Sequence, residues 1–322
     1  MQTTHAHSRL EHMPISLFAT VMGLAGLTIA TQKAGHLWGF GDWPALVLTL
    51  VSSLVYIMVF AGYSRKWLSY PQAVKQEFAH PIRLSFFPAS SIGLILLSIV
   101  YLPYHSEVAF YLWAVGASVQ LIFTLVILSN WIHHERFQIQ HSNPAWFIPI
   151  VGNILVPVTG AELGYVEVSW FFYSIGLLMW LPLLAVLLNR FFFHPMMPGK
   201  LLPTLFILIA PPAVGFISWL KLHHGVLDDT GRILYYFALF TTLLLASQYK
   251  FFIKIAFALP WWAYSFPVAA ISIASFMMNE LIGGSFFNVL SLVLYVALVL
   301  LMLTLIVKTI QAMRAGHICV PE

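Results

Sequence analysis

Residues 261–270 read WWAYSFPVAA, an apolar and aromatic run with Pro267 in its middle. Inside a helix a proline removes a backbone hydrogen bond and clashes with the preceding turn, at about 3 kcal/mol or more. The same device recurs along the chain. EHMPISLFATVMG (11–23), RLSFFPASSIG (83–93), PAWFIPIVGNILVP (144–157), LFILIAPPAVG (205–215) and WAYSFPVAAIS (262–272) carry Pro14, Pro88, Pro149, Pro212 and Pro267. Each follows an apolar or aromatic residue, and small residues come close behind. The five prolines are 74, 61, 63 and 55 residues apart. That interval is about one helical hairpin, so the chain reads as five hairpins whose first helix is proline-marked.

Composition agrees. Of 322 residues, 60% are hydrophobic and 8% charged, against about 25% charge in a soluble domain. Mean hydropathy is +0.88. Such a chain cannot clothe itself in a watery surface and is read as an all-α integral membrane protein. Cys319 is the one cysteine, which excludes an intramolecular disulfide, a Cys-based zinc site and a redox CxxC pair. The net charge of +4 comes from basic residues scattered singly between apolar runs, which is no nucleic-acid signature. The N-terminus MQTTHAHSRLEHMP is polar and offers no convincing cleavable signal peptide.

A bilayer-crossing helix needs about 20 apolar residues. Ten segments qualify: 13–32, 43–63, 83–102, 108–131, 144–162, 167–190, 201–220, 230–249, 259–279 and 285–309. They form a single transmembrane domain over 1–322, with short tails at 1–12 and 310–322. Ten crossings put both termini on one side. That side receives twelve of the fifteen Lys and Arg residues, Arg83 and Arg136 among them, and the other receives Lys33, Lys221 and Arg232. The bias predicts cytoplasmic termini. Irregular backbone at membrane depth is tolerated where it is buried in protein or lines a wet cavity. The five proline-kinked helices are therefore expected to form an inner ring around a central pore, with the other five outside. The last segment, NVLSLVLYVALVLLMLTL (288–305), has the uniform greasiness of a lipid-facing span.

HPIRLSFFP (80–88), SNPAWFIP (142–149), LFILIAPPAVGF (205–216) and WWAYSFPVAA resemble the tellurite-resistance/dicarboxylate transporter family. That family takes in bacterial tellurite-resistance proteins, malate and sulfite transporters and the plant guard-cell slow anion channels. The resemblance spans the whole chain; HPxR and WWAYSFP are its more specific pieces. It implies a homotrimer in the bacterial inner membrane, each protomer with its own central pore. It also implies a phenylalanine of the ninth helix that plugs the pore, and Phe266 occupies that position. On the residues alone Phe266 reads as ordinary packing, one of 26 phenylalanines; with the resemblance it reads as a gate.

No HExxH, Walker A or GxSxG motif appears, and no enzyme activity, cofactor or metal is expected. His133–His134 and His223–His224 are adjacent, not spaced to share a helix face. Small anions are the expected substrates. Neutral donors suffice for conduction, which needs weak binding, and Ser90, Ser91, Asn153 and Ser265 are the candidate pore-lining groups. Small hydroxyls equally serve close helix packing. Arg83, opening the third segment, is expected to concentrate anions at the inner mouth. Two transport readings remain. One is a channel for chloride or nitrate. The other is a proton-linked carrier of C4-dicarboxylate, sulfite or tellurite-related oxyanions, with Glu162 as the suspected protonated group. A receptor or scaffold on the same fold is a third class, disfavoured because no soluble signalling domain is present.

Overall fold

The structure, a computed structural model, describes residues 9–135 and 137–320. Arg136 and the chain ends at 1–8 and 321–322 lie outside the described residues. Twelve α-helices follow one another among them: α1 (Phe18–Trp38), α2 (Trp43–Ser69), α3 (Pro71–Ala79), α4 (Ala89–Tyr101), α5 (Ser106–His133), α6 (Ile148–Gly160), α7 (Val166–Phe193), α8 (Ala210–Leu222), α9 (Asp229–Ser247), α10 (Tyr249–Phe252), α11 (Ser265–Ile282) and α12 (Gly284–Arg314). Nine spans among the described residues are long and apolar enough to cross a membrane. The tenth, Pro144–Gly160, is apolar but shorter than the 144–162 expected. All thirteen residues of its helix α6 are buried, so protein, not lipid, surrounds it and its length need not match the hydrocarbon thickness.

Burial separates the spans into two classes. In the spans ending in α1, α4, α8 and α11, 72–78% of the most apolar stretch is buried; in α2, α5, α7, α9 and α12 the figure is 22–33%. The packing explains why. Helix α1 packs on α4, α4 on α6, α6 on α8, α8 on α11 and α11 back on α1, closing a five-membered ring. Each inner helix also packs on its hairpin partner, in the pairs α1–α2, α4–α5, α6–α7, α8–α9 and α11–α12. Every outer helix then leans on the next inner one, α2 on α4 and α12 on α1 for example.

The expected proline kinks take a different form. Each inner span opens with a 3-10 stretch: Ile15–Leu17, Arg83–Phe86, Pro144–Phe147, Gly199–Ile209 and Leu259–Tyr264 precede α1, α4, α6, α8 and α11. Pro88 is the residue before α4, and Pro149, Pro212 and Pro267 stand in the first turns of α6, α8 and α11. The first four N–H groups of an α-helix have no partner within it, so a proline there forfeits nothing. Pro14 stands one residue before its 3-10 turn. The prolines thus mark where the 3-10 half passes into the α half, and none of the five bends a continuous α-helix. The interior proline of an inner helix is Pro157, in α6; the outer helix α7 carries Pro182.

Close packing replaces a hydrophobic drive between helices in lipid. A Cβ at Gly23 would lie 2.4 Å from Ser265 Oγ, and one at Gly26 would lie 2.7 Å from Ala269 Cβ. Helices α1 and α11 therefore touch almost backbone to backbone along this seam.

Candidate functional site

An axial cavity of about 400 Å³ opens toward the end of the molecule where Glu11 and Val320 line the neighbouring space. All five inner spans line it. The first contributes Ser16 and Met22, the second Arg83 and Ile92, the third Ile148 and Val151, the fourth Lys200 and Ala210, and the fifth Trp262 and Phe266. Going inward, Met22, Ile92, Val151 and Ala210 are the last lining residues on their spans, and Phe266 lies beside them with Pro267. This inner end carries no polar side chain among those five. Phe266 is 5% exposed, and its Cδ2 would lie 3.6 Å from a Cβ at Gly26. Its place follows from the local fold: the 3-10 stretch Leu259–Tyr264 hands over to α11 at Ser265, one residue earlier.

A wider vestibule of about 900 Å³ leads into the cavity. His80, Arg83 and Lys200 line both spaces, and Lys66 and Lys308 line the vestibule. Arg83, expected at the inner mouth, lies where the cavity meets the vestibule. Its backbone N–H and that of Ile82 both donate to His80 Nδ1, at 3.3 and 3.2 Å.

Two acids, Glu11 and Glu77, also line this entrance. Glu77, from α3, is 4% exposed, and three donors converge on it. Lys66 Nζ donates to Oε2 at 2.7 Å and the Tyr63 hydroxyl at 2.9 Å, while the backbone N–H of Ile15 donates to Oε1 at 2.7 Å. Lys66 also reaches the Met13 carbonyl at 2.8 Å and lies 5.2 Å from the Tyr63 ring centroid. A buried charge needs this degree of pairing to be tolerated. The clamp ties the opening turn of the first inner span to α2 and α3. Sequence reasoning missed it; the available signal was a lone acid in PQAVKQEFA (71–79), eleven residues after Lys66.

The four lining candidates lie elsewhere. Ser91 is 1% exposed and donates to the Pro88 carbonyl at 2.8 Å and to Gln120 Oε1 at 2.7 Å. Asn153 is fully buried and donates to Thr124 Oγ1 and the Pro149 carbonyl, both at 2.9 Å. Ser265 donates to the Trp262 carbonyl at 2.6 Å and packs on Gly23. Ser90 donates to the Phe87 carbonyl at 2.7 Å, and its own carbonyl accepts from Tyr56 at 3.4 Å. None of the four lines the axial cavity. They satisfy backbone carbonyls and join helices, the role small polar residues take where water is scarce.

The hub of that buried network is Gln120, on the outer helix α5, whose Nε2 donates to the Pro149 carbonyl at 2.8 Å. Its amide lies against Gly152, where a Cβ would come within 2.3 Å of Gln120 Cδ. An amide in the middle of an apolar span was the signal for it. On the opposite face Glu162 pairs with Lys221 at 2.6 Å, and Lys33 pairs with Glu280 at 3.1 Å. The adjacent His pairs gather no ligands: among the described residues no group of three or more His, Cys, Asp or Glu is placed to hold a metal.

A family model described as SLAC1, voltage-dependent anion channel, matches residues 12–310. The S-type anion channel SLAH3 of Arabidopsis thaliana is 28% identical over 308 residues, which is 94% of this chain and 48% of that protein. The chain thus spans about half the length of such plant relatives. Two prokaryotic proteins match over most of both chains. The uncharacterized transporter MJ0762 of Methanocaldococcus jannaschii is 23% identical over 97% of this chain and 98% of its own. The tellurite resistance protein TehA homolog of Haemophilus influenzae is 26% identical over 85% of each.

Proposed function

This chain belongs to the SLAC1 voltage-dependent anion channel family, and on that footing we propose that it passes small monovalent anions such as chloride or nitrate along the axis of its inner ring. The observation that carries the reading is the cavity itself: one space, walled by all five inner spans, ending at Phe266. Its inner end is apolar. Such a constriction stops ions by sterics and dewetting, so Phe266 is the gate, and opening requires its ring to leave the axis. The cations Arg83 and Lys200, with His80, raise the anion concentration at the entrance. We place that entrance on the cytoplasmic side, with both termini, in a bacterial inner membrane, and the protein as a homotrimer with one path per protomer.

Current through the wild type and Phe266→Ala, in planar bilayers under a chloride gradient, tests the reading. A larger current in the variant, reversing near the chloride potential, is the expected result. An unchanged current in a folded variant removes the gate assignment. Silence from both favours carriage of dicarboxylate, sulfite or tellurite-related oxyanions, the second reading, which the two-way coverage of the transporter MJ0762 supports. Proton-linked uptake is then the assay.

A further inference from the structure

We propose that the axial cavity is a binding site for amphipathic organic anions, molecules with one carboxylate or sulfonate on an apolar body. The cavity is graded along its length. Its rim holds His80, Arg83 and Lys200, which also line the vestibule, while Met22, Ile148, Val151, Ile207, Trp262 and Phe266 make an apolar chamber further in. A volume of about 400 Å³ falls in the range of small-molecule sites, which are mostly apolar with a few placed polar groups.

An inorganic anion gains nothing from the chamber wall, because leaving water costs it more than alkyl groups return. An alkyl or aryl body gains by burial there, and the rim cations attract its acid group. Positive charge prevails at this end: Lys66, Arg83, Lys200 and Lys308 line the vestibule with two acids, Glu11 and Glu77, and Glu77 is taken up by Lys66 at 2.7 Å. Charge complementarity thus selects an anionic amphiphile over a neutral or cationic one. Seated with its body beneath Phe266, the ligand occupies the whole cross-section from the vestibule side. The site requires no conduction, so it stands or falls separately from the transport reading.

The test is calorimetric titration of the full chain in lipid nanodiscs with decanoate, decanol and decyltrimethylammonium, with protein-free discs subtracted. Saturable decanoate binding is expected, with the two other probes at least about tenfold weaker, a difference worth roughly 1.4 kcal/mol. Ala263→Trp, which fills the chamber from its wall, abolishes it, and Ala19→Leu serves as the second filling variant should the first fail to fold. Lys200→Glu weakens decanoate and leaves decanol unchanged. Equal affinity for decanol and decanoate, or decanoate binding indifferent to both filling variants, overturns the proposal.

Discussion

Lys66 Nζ and Glu77 Oε2 lie 2.7 Å apart, at a place where neither residue is more than 4% exposed. The pair stands at the entrance to the axial cavity and holds the Ile15 N–H, so the geometry of the mouth and the stability of the fold meet in it.

Breaking the pair from one side leaves a buried charge without its partner. Lys66→Met or Glu77→Gln is expected to cost about 3–5 kcal/mol, whereas the double variant costs less than the two singles together. Thermal unfolding in detergent reads this directly. Additive losses would show that the two charges do not act as a unit.

The α1–α11 seam admits no extra carbon. Gly23→Ala brings a Cβ to within 2.7 Å of Ser265 Cβ as well as its hydroxyl, and overpacking of this kind costs about 1–3 kcal/mol. Adding Ser265→Gly transfers the methyl from one helix to the other and is expected to restore most of the loss in the same melting experiment.

Gln120 joins three helices through one amide. Gln120→Leu removes the Ser91 hydroxyl's acceptor on α5, leaving it the Pro88 carbonyl of its own span, and takes a donor from Pro149, for about 1 kcal/mol. Faster hydrogen exchange in α4 and α6 is the expected signature, since both lose their tie to α5.

Glu162 is 47% exposed along its side chain and already paired with Lys221. Exposed pairs of this kind contribute at most about 1 kcal/mol. Glu162→Gln is therefore expected to leave both stability and anion flux near wild type. Loss of proton-dependent uptake in this variant would establish the carrier reading instead.

Asp228 caps α9. The Gly231 N–H, donated at 2.8 Å, holds its carboxyl below the ordinary carboxylate range, with help from the Trp219 indole and the charge of His223. A lowered folded-state value means that this stabilisation is present above pH 3.8 and drains away as pH falls below it. Asp228→Ala, at about 1 kcal/mol for a lost cap, should flatten that part of the pH–stability curve.

Much of the architecture is readable from residue order. Apolar run length marks the spans, and the spacing of Pro14, Pro88, Pro149, Pro212 and Pro267 separates inner from outer helices, because the same local device recurs once per hairpin. What the prolines do to the backbone is less readable. A proline in an apolar run is compatible with a bent α-helix or with a 3-10 stretch ending at a fresh helix start, and only the ring packing decides between them. Phe266 and Arg83 lie on the axial cavity because both stand where a 3-10 stretch meets or begins its span. Ser91, Asn153 and Ser265 point into helix contacts because the rotation of each helix about its own axis, invisible in a hydropathy pattern, chooses between pore axis and neighbour.

The eleven-residue 3-10 stretch Gly199–Ile209 has a mechanical corollary. A 3-10 helix rises about 2.0 Å per residue and an α-helix about 1.5 Å, so rewinding this stretch as α would shorten it by roughly 5 Å. Lys200 rides at its free end. The winding of this one stretch therefore sets the depth of a positive charge along the axis to within about one helical turn.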